Sequence, residues 1–158
     1  MIINFLVPDY AINQNLKTKK LIYELRKAQY AVWMLSDKNW LTDEVLFSLL
    51  IGRLKCGLNV EIVMHNYVLS EYENAKLRIF IDAGGEIFLI DNEKLPKPLK
   101  EHYFIVDYST VVATETNVEH KLKPHRGANY LRENSETLLE AYIENYLNIK
   151  NTCCTNRY

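Results

Sequence analysis

Apolar and polar positions along the chain follow two different periods, which predict an alternation of strands and helices. Short apolar runs that end at Gly, Pro, Asn or Asp indicate strands, whereas apolar residues three to four positions apart indicate amphipathic helices. Strands are predicted at residues 2–7, 30–35, 59–65, 86–90, 103–106, 110–113 and 128–132. Helices are predicted at residues 16–28, from a Thr42 cap to about Lys55, at 70–83, and from a cap at Asn134 or Ser135 to Leu147.

The order of these elements predicts an α/β fold. Strands and helices alternate through the first two thirds of the chain, which favours a mixed β-sheet flanked by helices on both faces. The length of 158 residues suits one domain with a full core. We therefore predict a single domain over residues 1–149 and a flexible tail over residues 150–158. In the first helix, the solvated face is predicted to carry Lys17, Lys19, Lys20, Arg26 and Lys27.

Two of the predicted strands form a hairpin with polar residues at both ends, between Lys100 and Asn117. This stretch resembles the signature of the phospholipase D (HKD) superfamily, H-x-K-x4-D-x6-G-S-x-N. Asp107 and Asn117 fall on the Asp and Asn of that motif without a gap. Lys100 stands where the family has its His, and His102 where it has its Lys. Thr114-Glu115 replaces the Gly-Ser pair.

Other landmarks follow the same order as in that family. Gly57-Leu58-Asn59-Val60-Glu61-Ile62 is similar to a Gly-x-x-Val-x-Ile motif, and Ala83-Gly84 ends a helix before the next strand. The resemblance covers roughly residues 16–147 and implies a phospholipase D-like fold. An unrelated small α/β domain, whose hairpin matches by accident, is the remaining structural interpretation.

The resemblance implies phosphodiester chemistry at two motifs. In the family, one His attacks phosphorus and another protonates the leaving oxygen, while Lys and Asn side chains hold the phosphate. This chain has one motif, so by resemblance to the single-motif members a complete site implies a homodimer. The candidate catalytic residues are His102 and Lys100. Asp107 is expected to orient and stabilise the structure or to cap its own turn, and Asn117 to bind phosphate or to hold a loop.

The departures from the motif favour a domain with impaired catalysis. Exchanging Lys and His exchanges two side-chain lengths, and a misplacement of about 1 Å already costs roughly 100-fold in rate. Glu115 adds a negative charge where an anionic phosphate would bind. We therefore expect a binding or assembly module. The alternative is a metal-independent phosphodiesterase or nuclease that uses the exchanged Lys100 and His102 pair.

A local basic cluster provides a candidate site for phosphate or for a partner. Lys121, Lys123, His125 and Arg126 lie together in a predicted loop at residues 119–127. Such a cluster contacts a nucleic-acid backbone or is simply solvated. Nucleic acid or another protein is the expected class of partner. No spacing of His, Cys and acidic residues suits zinc, and neither a metal nor a cofactor is predicted.

Composition adds limits on location and on partners. The net charge of −1 gives no global attraction to nucleic acid or to anionic membranes. Three cysteines, two of them vicinal, favour a reducing cytoplasm. The longest mostly apolar run, residues 45–51, is too short to cross a bilayer, so no membrane insertion is expected.

Overall fold

The computed structural model describes residues 14–95, 99, 101–115 and 136–157. The helices are α1 (Gln14–Lys27), α2 (Glu44–Lys55), α3 (Glu71–Asp82) and α4 (Glu136–Cys153), with a 3-10 helix at Lys38–Leu41. The strands are β1 (Ala31–Leu35), β2 (Asn59–His65), β3 (Glu86–Ile90), β4 (Glu101–Val106), β5 (Thr110–Glu115) and β6 (Cys154–Arg157). The strands predicted at residues 2–7 and 128–132 and the basic loop at 119–127 lie outside the described residues.

The strands form one mixed sheet in the order β5-β4-β1-β2-β3-β6. β1, β2 and β3 run parallel, joined by the crossover helices α2 and α3. β4 is antiparallel to β1 and to β5, and β6 is antiparallel to β3. The predicted α/β class with a mixed sheet is thus confirmed.

Helices cover both faces of the sheet, and each face has its own hydrophobic core. One core lies between the sheet and α1, α2 and α3, and includes Leu25, Leu50 and Phe80. The other lies under α4, where Tyr146 is fully buried and Ile149 is nearly so. Strand residues alternate between the two cores because successive side chains point to opposite faces.

Capping residues set the ends of the helices. Ser70 and Glu73 form a reciprocal capping box at the start of α3. The cap of α2 is Asp43, whose carboxylate accepts the N–H of Leu46, so the prediction of Thr42 was one residue early. Gly57 ends α2 with a φ of +96°, a conformation that glycine adopts without the strain a side chain brings.

The prediction of a flexible tail over residues 150–158 was wrong for the residues described there. α4 continues to Cys153, and residues 154–157 pair with β3. Lys150 is fixed because its Nζ lies 2.8 Å from Oε1 of Glu61, which also accepts the hydroxyl of Tyr146 at 2.8 Å. These contacts join α4 to β2 at the position where fraying was expected.

Lys20 does not belong to a solvated face, contrary to the prediction for α1. Its side chain and that of Glu24, one turn later, are each 6% exposed. The Nζ of Lys20 lies 3.2 Å from Oε1 of Glu24, and this ion pair offsets part of the cost of burying both charges. Among the helices of the described residues, none has the length and apolar character needed to cross a bilayer.

Candidate functional site

The candidate site lies where the carboxyl ends of β1, β2 and β3 meet the amino end of β4. Leu35 at the end of β1 pairs with Tyr103, which brings His102 next to the loop that follows β1. In the sheet, β2 lies on one side of β1 and β4 lies on the other, so the order of the strands reverses at this point. Ligands of open α/β sheets bind in the crevice at such a position.

Four polar side chains come to this edge from four different segments. Asp37 follows β1, His65 ends β2, Asn92 follows β3 and His102 is the second residue of β4. The Nδ1 of His102 lies 3.9 Å from Oδ2 of Asp37. The Nδ1 of His65 lies 3.0 Å from Oδ1 of Asn92, and its ring meets that of Tyr67 edge-on at 6.1 Å. The edge therefore combines imidazole, carboxylate, amide and phenol groups.

Asp37 is held in place by its own segment. It caps the 3-10 helix, and its two carboxylate oxygens accept the backbone N–H of Asn39 at 2.9 Å and the side-chain amide of Asn39 at 3.1 Å. The adjacent Lys38 pairs with Glu73 of α3 at 3.3 Å. Because these bonds fix the loop, the carboxylate stays beside His102.

Burial is the main electrostatic influence on the site. Desolvation lowers the pKa of His102, the charge of Asp37 acts in the opposite direction, and His65 lowers that pKa further. Burial, followed by the charge of Asp37, raises the pKa of the Tyr67 hydroxyl. The side chain of His102 is 15% exposed. These effects favour a neutral imidazole at neutral pH.

Asp107 lies at the opposite end of β4, about 17 Å along the strand from His102. Its carboxylate accepts backbone N–H groups of Gln29, Tyr30 and Ala31 at 2.9, 2.7 and 3.1 Å. It therefore ties the hairpin to the entry of β1 instead of capping its own turn. The structure does not bring Asp107 into one site with His102.

The turn that carries Asp107 is conformationally restricted. Asp107 and Tyr108 have φ values of 52° and 59°, and the N–H of Ser109 donates to the carbonyl of Val106 at 3.0 Å. Two consecutive positive φ values are typical of tight hairpin turns. Burial raises the pKa of Asp107, but the three N–H donors and the charge of Arg53 outweigh it, so the pKa is lowered overall.

The remaining candidate residues from the motif and the basic loop, namely Lys100, Asn117, Lys121, Lys123, His125 and Arg126, lie outside the described residues. Within the described ranges, no group of three or more His, Cys, Asp and Glu side chains could hold a metal ion.

Sequence reasoning missed Asp37, His65, Tyr67 and Asn92 as members of the site. A signal was present, since Asp37 and Asn92 each come within two residues of the end of a predicted parallel strand. The carboxyl ends of such strands lie at one edge of the sheet. Applying that rule together with the motif would have grouped these residues with His102.

Comparison with known proteins gives a similarity in structure. No protein-family model matches the chain, and no curated protein matches it. A solved structure of TrmBL2, described as an archaeal chromatin protein with a novel mode of DNA binding, matches with a TM-score of 0.62 at 15% identity. The match covers 89% of this chain and 50% of TrmBL2, so the chain spans about half the length of that protein. At this identity, the similarity shows a shared fold.

Proposed function

We propose that the chain is a phospholipase D-like domain with impaired catalysis that acts as a binding or assembly module and forms a homodimer. The observation that carries this proposal is the position of the Asp37 carboxylate, 3.9 Å from the imidazole that would have to meet a phosphate. A phosphate that approached this imidazole would also approach the carboxylate, and two negative groups repel each other, most strongly where burial lowers the effective dielectric constant.

A metal-independent phosphodiesterase is the second candidate, and the neutral state of His102 favours it. A nucleophilic imidazole must be unprotonated, and burial keeps the pKa of His102 low. The two candidates differ in one respect that can be measured. Only the second requires cleavage that disappears when His102 is replaced.

Nucleic acid is the partner to test first. TrmBL2, which shares the fold at 15% identity, is described as binding DNA. In this chain the basic cluster of Lys121, Lys123, His125 and Arg126 would supply contacts to phosphates, because net charge alone provides no attraction. A protein partner is the alternative if no nucleic acid binds.

For the dimer interface, the apolar helix α4 is favoured over the apolar helix α2. Leu46, Phe47, Leu50 and Leu54 of α2 are buried in the core of the same chain. α4 carries apolar side chains that are only partly buried against the second core, namely Leu139, Tyr142, Ile143 and Leu147. A second copy would cover these side chains.

The nucleic-acid proposal is tested by fluorescence anisotropy with labelled single- and double-stranded DNA over a series of salt concentrations. We expect replacement of Lys121, Lys123 and Arg126 by Gln to weaken binding and to reduce the salt dependence. Each lost phosphate contact lowers the slope of log K against log salt by about 1. The matched control replaces three exposed basic residues elsewhere, Lys19, Arg26 and Lys55, by Gln. Equal effects of both triple variants would contradict a specific role for the loop.

Assembly is tested by sedimentation velocity. We expect a dimer that dissociates in the variant Ala141→Glu, which places a charge on the exposed side of α4. The control is Val45→Glu, because Val45 is 60% exposed on α2 and its replacement leaves the core intact. A monomeric wild-type protein would contradict the homodimer.

A further inference from the structure

Two vicinal thiols lie at the junction between α4 and β6. Cys153 is the last residue of α4, and Cys154 is the first residue of β6, so no loop separates the helix from the strand. Both side chains are partly exposed and pack against the second core. The remaining cysteine, Cys56, is exposed after the end of α2.

The peptide unit between the two thiols attaches β6 to the sheet. The carbonyl of Cys153 accepts the N–H of Asp91 at 2.7 Å. Cys154 pairs with Ile90, and the register of the ladder shifts between Leu89 and Ile90. Any rotation of this peptide unit therefore acts directly on the start of the β3–β6 pairing.

The two sulfur atoms have different surroundings. Burial, followed by the proximity of Cys153, raises the pKa of Cys154 to about 11, so this thiol is protonated at neutral pH. The Sγ of Cys153 lies 3.4 Å from the hydroxyl oxygen of Thr152. The first reaction with an oxidant is therefore expected at Cys153, with Cys154 as the resolving thiol.

We propose that Cys153 and Cys154 form a redox-controlled latch that attaches β6 to β3 when reduced and releases it when oxidised by a peroxide. The Cys153 thiolate attacks hydrogen peroxide, the O–O bond breaks, and a sulfenic acid and hydroxide form. Cys154 sulfur then displaces the sulfenic oxygen, an S–S bond forms, and the oxygen leaves as water with the thiol proton. In total, two thiols lose two hydrogens, and one peroxide becomes two waters.

Ring closure explains how oxidation acts on the strand. Adjacent Cα atoms are about 3.8 Å apart across a trans peptide, whereas ordinary disulfides join Cα atoms about 4.4–6.8 Å apart. A disulfide between neighbouring residues is therefore strained, and we expect rotation of the peptide unit between them to relieve part of that strain. That unit carries the carbonyl bonded to Asp91, so the bond and the Cys154–Ile90 pairing are lost. The edge of β3 then becomes available to another strand.

The test uses the variant Cys56→Ser, which removes the other thiol. Trypsin cleaves after Lys150 and Arg157, and the resulting peptide, residues 151–157, holds both cysteines and no methionine. After hydrogen peroxide treatment, we expect this peptide to lose the mass of two hydrogens. The N–H of Asp91 donates to Cys153, so the N–H groups at alternate positions of β3, Leu89 and Asp91, face β6. Amide hydrogen exchange at these two residues is expected to become about tenfold faster, and dithiothreitol is expected to reverse both changes.

Replacing Cys154 by Ser in the same background separates ring closure from simple oxidation of Cys153. In this variant we expect no loss of two hydrogens and no faster exchange in β3. The proposal is overturned if peroxide fails to produce the disulfide, or if the disulfide forms and exchange stays unchanged. It is equally overturned if exchange rises to the same extent in the Cys154→Ser variant.

Discussion

The Nδ1 atom of His102 lies 3.9 Å from Oδ2 of Asp37, across the boundary between β1 and β4. The two residues are 65 positions apart in sequence, and the antiparallel pairing of Leu35 with Tyr103 brings them together. The carboxylate is fixed by Asn39, so the imidazole faces a constant negative group. The carboxylate raises the pKa of His102, although burial is the larger influence and keeps that pKa lowered overall.

Two substitutions are expected to move the pKa of His102 in opposite directions. Asp37 raises that pKa and His65 lowers it, although burial remains the largest influence. Replacing Asp37 by Asn, which is also a good helix cap, should lower the pKa of His102 further. Replacing His65 by Gln should raise it. An NMR titration of the His102 ring measures this pKa in both variants. Shifts of the pKa in the same direction would contradict the described geometry.

His102 is also expected to make stability depend on pH. Its pKa in the folded protein is lowered from the usual value of about 6.5, so the unfolded chain binds more protons as the pH falls. The free energy of unfolding should therefore decrease on acidification through about pH 6.5 and stop decreasing below the folded pKa. The variant His102→Gln should lack this contribution. Urea unfolding at a series of pH values tests this contribution. An identical dependence of the free energy of unfolding on pH in wild type and variant would contradict it.

Replacing Asp107 by Asn should destabilise the fold by about 1–3 kcal/mol at neutral pH, because three backbone donors lose a charged acceptor. The pKa of Asp107 is lowered by these donors despite burial. The stabilisation that the Asp107 carboxylate provides is thus fully present above about pH 3.9, the pKa of Asp in an unfolded chain. It is lost as the pH falls through the pKa of Asp107 in the folded protein. Urea unfolding measures the difference, with the exposed Asp82→Asn as control. A difference that persists at low pH would contradict this role.

Two glycines should respond in opposite ways to replacement by Ala. A Cβ atom at Gly85 would overlap the ring of Phe80, which is fully buried and cannot move aside. Gly85→Ala should therefore lower the free energy of unfolding by about 1–3 kcal/mol. Gly52 lies within α2, where an added Cβ atom would meet no other group within 4 Å. Gly52→Ala should raise the free energy of unfolding by about 0.5–1 kcal/mol. Thermal unfolding of both variants provides the comparison.

Local signals made several elements predictable from sequence. The predicted strands at residues 59–65 and 86–90 match β2 and β3 at both ends. Each begins shortly after a glycine with positive φ, Gly57 or Gly84, so the sequence itself indicates the boundary between the preceding helix and the strand. Helices α2 and α3 end before these same glycines and were also predicted. The predicted cap of α2, Thr42, is one residue too early.

Non-local contacts explain what the sequence did not predict. β6 forms because residues 154–157 reach the edge of β3, and no period in those residues indicates this pairing. Lys20 is buried through its partner Glu24, although a lysine on a helix usually faces solvent. The ends of the parallel strands bring Asp37, His65 and Asn92 to one edge of the sheet, and the long-range pairing of β4 with β1 adds His102 to them.

The proposal of impaired catalysis is tested most directly by a cleavage assay without added metal. The substrates are a chromogenic phosphodiester and single- and double-stranded DNA, with wild type and His102→Ala compared at matched oligomeric state. We predict no turnover above the uncatalysed rate in either protein. Turnover by wild type that disappears in His102→Ala would contradict impaired catalysis and identify the exchanged Lys100 and His102 pair as a working active site.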